Sequence, residues 1–270
     1  MKPEPLGLTL EFAAEAAWRA GRVTLGHFQS GVVAEKKDDA SPVTVADRET
    51  ERLLRAAIET RHPGDGILGE EFGETGSGAR RRWILDPIDG TRSFVHGVPL
   101  YGVMIALEEA GDPVLGVVHF PALGEILYAA RGEGAWWGGL RARVSEVSRV
   151  DEALVLTSSA ESLGRHGRAE GWARLTAAAN MARTWGDCYG YALVATGRAE
   201  AMCDAKMAVW DAAPIFPIIE EAGGVVTDWA GRRSHTSGDT IATNAALDTA
   251  VRQLLTAAGA DSRNSTSRSE

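Results

Sequence analysis

Paired cysteines, metal-spaced histidines and nucleotide-binding loops are all missing from this chain of 270 residues. Its two cysteines, Cys188 and Cys203, form no CxxC pair, which excludes a zinc ribbon and a disulfide framework. The six histidines show no ligand spacing. No G-x-x-x-x-G-K-[ST], G-x-S-x-G or H-E-x-x-H segment occurs, so P-loop, nucleophile-elbow and zincin chemistry fall away. Positive charge is scarce, with 28 Lys and Arg against 37 Asp and Glu and a net charge of −9. That balance argues against nucleic-acid partners, which need a basic surface, and suits a protein that collects divalent cations. No apolar run reaches the ~18 residues of a membrane span. The opening segment MKPEPLGLTLEF carries acids and prolines, so it does not read as a signal peptide. Together with two isolated thiols, these features predict a cytoplasmic protein.

What is present is an α+β pattern followed by an α/β one. From Leu10 to about Phe28 the spacing of Leu10, Ala13, Ala17, Ala20 and Thr24 predicts a helix. The segment 31–41 is charged and turn-like, and a second helix is expected from Thr44 to Thr60. Short strands follow at Gly66–Leu68, Trp83–Leu85, Gly102–Leu107, Val114–Phe120 and Glu125–Ala130, separated by turns that favour antiparallel neighbours. Glu74–Gly78 reads as a surface loop, and Trp136-Trp137 between glycines as a hairpin tip. Later come strands at Leu154–Thr157, Thr184–Gly186, Ala201–Cys203 and Val225–Asp228. Helices are expected at Arg168–Met181, Tyr189–Thr196, Ala212–Ala222 and Asp248–Ala258. The pattern divides into residues 1–145, residues 146–258 and a polar tail, 259–270, expected to be disordered.

Four acidic segments could carry chemistry. In Trp83-Ile84-Leu85-Asp86-Pro87-Ile88-Asp89-Gly90-Thr91 an apolar strand delivers Asp86 to its end. Asp86, Asp89 and the Ile88 carbonyl are hard oxygen ligands, suited to Mg²⁺ or Mn²⁺ rather than zinc. Gly90 and Thr91 offer a phosphate seat beside them. Gly69-Glu70-Glu71 also follows a short apolar strand, and one glutamate could complete a metal shell and hold a water. Asp47 lies three residues after Thr44, which reads as a capping box, and it could also point toward the same cluster. Asp211 in Trp210-Asp211-Ala212-Ala213-Pro214 reads as a helix N-cap. Its helix is apolar, so its carboxylate would be buried and would need a counter-charge.

Taken together, these segments resemble the inositol monophosphatase family of Mg²⁺-dependent phosphatases, from the first helix to about residue 256. The resemblance rests on Ser-Pro-Val-Thr-x-x-Asp at 41–47, Gly-Glu-Glu at 69–71, Asp-Pro-Ile-Asp-Gly-Thr at 86–91, and Trp-Asp-Ala-Ala with Glu-Ala-Gly-Gly at 210–224. It implies an αβαβα sandwich of the inositol monophosphatase/fructose bisphosphatase type. It implies metal ligands Glu70, Asp86, Ile88 (through its carbonyl), Asp89 and Asp211. Asp47 and Thr91 would polarise the attacking water, and Glu70 would hold it. Mg²⁺ is the expected cofactor, with Mn²⁺ as substitute and Li⁺ as inhibitor. A homodimer acting on a small phosphorylated metabolite is implied, without membrane or nucleic-acid partners.

Substrate choice turns on fewer residues. Inositol phosphatases place a glutamate seven residues before the Trp-Asp aspartate, to bind ring hydroxyls; here that position is Asp204. The segment Arg183–Tyr191 and Thr91-Arg92-Ser93-Phe94 followed by Gly97-Val98-Pro99-Leu100 resemble instead the histidinol-phosphatase branch. Asp187 and Asp204 would serve as charge partners for the cationic groups of histidinol phosphate, although Asp187 also reads as an N-cap. Inositol 1-phosphate, or a related sugar or nucleotide phosphate, is the alternative substrate. A cation-binding module without turnover is the non-enzymatic alternative. The intact Asp47, Glu70 and Thr91 set speaks against it, because mere binding needs no water-activating group.

Overall fold

Two sheets of unequal size stack between helices in this computed structural model, which describes residues 4–36 and 42–257. The expected tail at 259–270 and part of the charged segment 31–41 lie outside the described residues. The chain opens with helix α1 (Leu6–His27), pairs β1 (Glu35–Lys36) with β2 (Pro42–Val43), and continues into α2 (Val45–Arg61). There follow β3 (Gly66–Gly69), β4 (Gly73–Thr75), β5 (Arg81–Asp89), the short helix α3 (Thr91–Val95), β6 (Gly102–Glu109), β7 (Asp112–Phe120), β8 (Glu125–Ala130), β9 (Gly134–Trp137) and β10 (Leu140–Arg141). These form an eight-stranded sheet in the order β10-β9-β8-β7-β6-β5-β3-β4, antiparallel except for the parallel β3–β5 pair.

The second half contributes β11 (Leu154–Leu156), α4 (Ala160–Arg165), α5 (Ala169–Ala178), β12 (Met181–Arg183), α6 (Cys188–Ala195), β13 (Ala201–Asp204), α7 (Val209–Ala212), α8 (Ile215–Glu221), β14 (Gly224–Thr227), β15 (Thr240–Asn244) and α9 (Asp248–Thr256). Its five strands run β12-β11-β13-β15-β14, with the first three parallel.

The layering follows from period-two alternation. On β6, Val103, Ile105 and Leu107 face α1 and α2, joining Leu10, Ala13, Ala17, Leu54 and Ile58. Met104 on the opposite face joins Val118, Phe120 and Leu127 in the central layer, against Tyr191 of α6 and Phe216 of α8. Leu156, Met202 and Ala242 close that layer from the smaller sheet. Val155, Ala201 and Ile241 point outward to Leu175, Val251 and Leu255 of the last helix layer. The result is the expected αβαβα sandwich.

Several local expectations are corrected. The helix expected at Ala212–Ala222 is two helices, because the chain breaks at Ala213-Pro214, where proline cannot continue the ladder. The helix from Arg168 stops at Ala178, and the following strand is Met181–Arg183 rather than Thr184–Gly186. Strand β15 carries only the short apolar signal Thr240-Ile241-Ala242-Thr243-Asn244, and sequence reading passed over it. Glu74 and Thr75, read as loop, sit in the edge strand β4. Trp136 and Trp137 lie in β9 itself, and Gly138-Gly139 make the hairpin tip.

The two halves meet closely where β7 crosses the start of α8. A Cβ on Gly116 would run into the Pro214 carbonyl, three residues past Asp211. Gly116→Ala is therefore expected to push α8 and Asp211 outward. Overpacking of this kind costs about 1–3 kcal/mol, readable as a lower urea midpoint together with weaker Mg²⁺ binding. An unchanged midpoint would mean that the contact is soft.

Candidate metal centre and its surroundings

The acids converge because of a defect in a strand. Asp86 and Asp89 are three residues apart, and on a regular strand an odd separation would point them to opposite faces. The Asp86–Asp89 stretch of β5 pairs with only Met104–Gly102 of β6, so three residue steps oppose two. That bulge adds one residue and restores a common direction. The segment is thus an irregular strand end. Asp211 arrives from the other half, on α7. Ligand oxygens of Asp86, Asp89 and Asp211 all lie within 4.8 Å of one another.

Each acid is held by a backbone amide. Asp86 Oδ1 accepts from the Ile88 N–H at 3.0 Å. Asp89 Oδ2 accepts from the Cys188 N–H, at the start of α6, at 2.6 Å. Asp211 Oδ2 accepts from the Ala208 N–H at 2.8 Å, so Asp211 is the third residue of its helix and not its cap. Asp47 Oδ2 accepts from the Thr44 N–H at 2.7 Å and the Thr44 hydroxyl at 2.6 Å, which completes the expected capping box. Asp47 Oδ1 is buried and has no hydrogen-bond partner.

Glu70 is placed by a buried pair that sequence reading missed. Glu51 on α2 is fully buried and accepts from Arg55 Nε at 2.7 Å and from the Glu71 and Phe72 amides at 2.7 and 3.3 Å. Arg55 reaches on to the Gly73 carbonyl and the Thr75 hydroxyl. A Cβ on Gly69 would collide with Glu51. The glycine in Gly-Glu-Glu is therefore required by its neighbour, and the Glu70–Phe72 turn is clamped to the helix that carries Asp47.

Gly90 adopts a left-handed φ of 80° before α3, and the Thr91 hydroxyl donates to the Ile88 carbonyl at 3.0 Å. Thr91 and Asp47, expected as a pair, are not hydrogen-bonded to each other here.

The electrostatics are those of a site short of positive charge. Burial is the largest cause that pushes Asp86 and Asp89 well up, with the neighbouring acids adding to it. Burial likewise raises Asp47 to about 6 and Asp211 to about 7, against the pull of their backbone bonds. The three carboxylates of Asp86, Asp89 and Asp211 form an all-oxygen cluster, which fits a hard divalent cation.

A cavity of about 80 Å³ adjoins the acids, lined by Asp89, Asp211, Asp187, Ser158, Tyr191 and Lys206 among others. Two larger grooves, of about 640 and 820 Å³, lie against the α1 side of the molecule away from the acids, so size alone would choose the wrong place. Ser158 and Lys206 carried no signal in the sequence, since they belong to no motif; Tyr191 closes the segment Arg183–Tyr191, and only folding brings the three together. Asp187 precedes α6 but its side chain caps nothing. Burial raises its carboxyl to about 6, with the Asp204 charge adding and Arg92 opposing. Asp204, expected to touch substrate, is 4% exposed and accepts four hydrogen bonds.

A layered sandwich with an acidic centre between its halves defines a class of phosphatases, and the comparisons with known proteins agree. A profile of the inositol monophosphatase family matches residues 8–262. A histidinol-phosphatase of Chlorobaculum parvum is 47% identical over 94% of this chain and 98% of its own length. One of Mycobacterium tuberculosis is 39% identical, over 92% and 98% respectively. The crystal structure of extragenic suppressor protein suhB from Bartonella henselae superposes with a TM-score of 0.87 at 29% identity, covering 93% of this chain and 99% of that one. The chain belongs to the inositol monophosphatase family. It is a phosphomonoesterase. Among the described residues, no helix is long and apolar enough to cross a membrane.

Two outcomes test this geometry. Glu51→Ala would strand a buried Arg55 and two amides, at a cost of about 3–5 kcal/mol in chemical denaturation. A loss under about 1 kcal/mol would show that the clamp is dispensable. The second concerns pH. The raised carboxyls keep protons that the unfolded chain has already released, so folded protein binds more protons and stability falls as pH rises. His62 and His119 have lowered pKa values and act in the opposite sense below the ordinary histidine value of 6.5. The window to read is therefore from about pH 6.5 to about pH 8. In chelator the Tm should be lower at the upper end of this window, and Mg²⁺ should shrink the difference. A Tm in chelator that is flat or rising would contradict the charge assignment.

Proposed function

We propose that this phosphomonoesterase is Mg²⁺-dependent and hydrolyses histidinol phosphate, a step of histidine biosynthesis. The observation that carries the metal part is the convergence of Asp86, Asp89 and Asp211 within 4.8 Å. In this reading Glu70, Asp86, the Ile88 carbonyl, Asp89 and Asp211 hold the ions. Bound Mg²⁺ supplies a water of lowered pKa and offsets the charge of a phosphate dianion. With the ions bound, Asp47 Oδ1 would be the open acceptor for a proton of the attacking water or for the Thr91 hydroxyl, and Glu70 would orient that water. Gly90 and the Thr91 N–H seat the phosphate, where a side chain on residue 90 would meet the Leu100 carbonyl. Residues 1–145 thus supply most ligands, and residues 146–258 supply Asp211 and the substrate side.

The substrate part rests on Asp187. Its carboxylate stands beside Gly90 and lines the cavity next to Asp89. There it can take the ammonium of an amino-alcohol phosphate as an ion-paired hydrogen bond, typically about 1.5–3 kcal/mol. The similarity to histidinol-phosphatases supports the same choice. An inositol ring offers no cation to this carboxylate. By family resemblance the working form is a cytoplasmic homodimer, with Mn²⁺ able to substitute and Li⁺ inhibitory.

Phosphate release should vanish with chelator and return with Mg²⁺; full activity in excess chelator would refute the metal reading. Asp89→Asn should lose both metal affinity and turnover. Asp47→Asn should keep most Mg²⁺ affinity by calorimetry while turnover drops about 10²–10⁴-fold, the usual worth of a positioned base. Loss of all Mg²⁺ binding in Asp47→Asn would make it a ligand. Asp187→Ala should lower kcat/KM for histidinol phosphate by roughly ten- to a hundred-fold, the worth of one such bond, and leave that for p-nitrophenyl phosphate nearly unchanged.

A further inference from the structure

We propose that Asp204 and Ser158 are positioning residues that hold Asp187 in a strained conformation at the cavity wall, and that Asp204 does not itself touch substrate. The inference rests on the reading of Asp187 given above.

An ionised carboxylate offers about four lone-pair sites. On Asp204 all four are taken. Oδ1 accepts from the Thr157 hydroxyl at 3.2 Å and the Ser158 N–H at 2.8 Å. Oδ2 accepts from the Ser158 hydroxyl at 2.8 Å and the Tyr191 hydroxyl at 3.0 Å. The residue ends β13, is 4% exposed, and does not line the cavity, whereas Ser158 and Tyr191 do. An ammonium or ring hydroxyl therefore meets the donors of Asp204 and not Asp204 itself.

The Ser158 hydroxyl donates its one proton to Asp204, so its lone pairs face away, and there they accept the Asp187 N–H at 2.9 Å. Asp187 needs that restraint. Its φ of 52° and ψ of −151° fall in a region almost reserved for glycine. A side-chain-bearing residue stays there only when its surroundings over-determine it. Two further contacts do so. The Asp187 carbonyl accepts from the Gly190 N–H at 3.1 Å, and Gly186 packs so tightly that a Cβ on it would stand 2.5 Å from Ser158 Cα. The chain Asp204 to Ser158 to the Asp187 amide thus runs from the core to the cavity. Its product is the direction of one carboxylate, with Oδ2 at 3.0 Å from the point where a Gly90 Cβ would lie.

The test is a double-mutant cycle read on selectivity, the ratio of kcat/KM for histidinol phosphate to that for p-nitrophenyl phosphate, with Mg²⁺ half-saturation recorded alongside. Ser158→Ala should lower the ratio by close to the factor seen for Asp187→Ala. The double variant should fall no further than Asp187→Ala alone, because both act through one group. Calorimetric binding of histidinol itself should weaken in parallel, and Mg²⁺ half-saturation should hold. Asp204→Asn, which removes one acceptor oxygen and preserves shape, should move the ratio the same way and carries the test if Ser158→Ala fails to fold. An unchanged ratio in Ser158→Ala and Asp204→Asn, or additive losses in the double variant, overturns the inference and leaves the Asp187 reading standing. An unchanged ratio in Asp187→Ala overturns that reading instead.

Discussion

Mutual repulsion of buried carboxylates is the constraint around which this molecule is arranged. Asp86, Asp89 and Asp211 lie within 4.8 Å, with Asp47 and Glu70 close enough to be felt electrostatically. Left to themselves such groups separate or take up protons. They stay because each aspartate accepts a backbone N–H from a different place: Thr44 before α2, Ile88 in β5, Cys188 at α6 and Ala208 before α7. An amide tether is short and stiff, and it leaves the second carboxylate oxygen for another partner. The sandwich can be understood as the frame that brings these four amides to one point.

That frame explains features that otherwise look incidental. The β5 bulge turns a three-residue spacing into a shared direction. The break at Ala213-Pro214 isolates a four-residue helix whose third residue is Asp211, and Gly116 lets α8 lie close enough to deliver it. The Glu51–Arg55 pair is buried and costly to desolvate, yet it ties the glutamate loop to the helix that carries Asp47.

Asp187 and Asp204 show how differently one residue type can be surrounded. Asp187 is half-buried beside the cavity with its charge partly offset by Arg92. Asp204, seventeen residues later, is saturated by hydroxyls and an amide. Burial raises both carboxyls, but of the two only Asp187 lines the cavity.

Much of this was legible in the sequence by itself. Motif order and residue type carry the metal chemistry, since hard oxygen ligands need carboxylates and these occur in four short, ordered segments. Period-two and helical alternation carry the layers, because a buried face must be apolar whatever its partner. Tertiary structure alone decided the rest. A bulge, a helix break and an edge strand leave almost no trace in hydrophobic periodicity, as their energetics lie in pairing with distant residues. Glu51 and Arg55 read as ordinary helix-surface charges until a loop closes over them. Asp204 read as a charge partner because a sequence shows that a carboxylate exists but not how many donors surround it. The hydrogen bonds that fill Asp204, from Thr157, Ser158 and Tyr191 arriving from other parts of the chain, are set by tertiary structure alone.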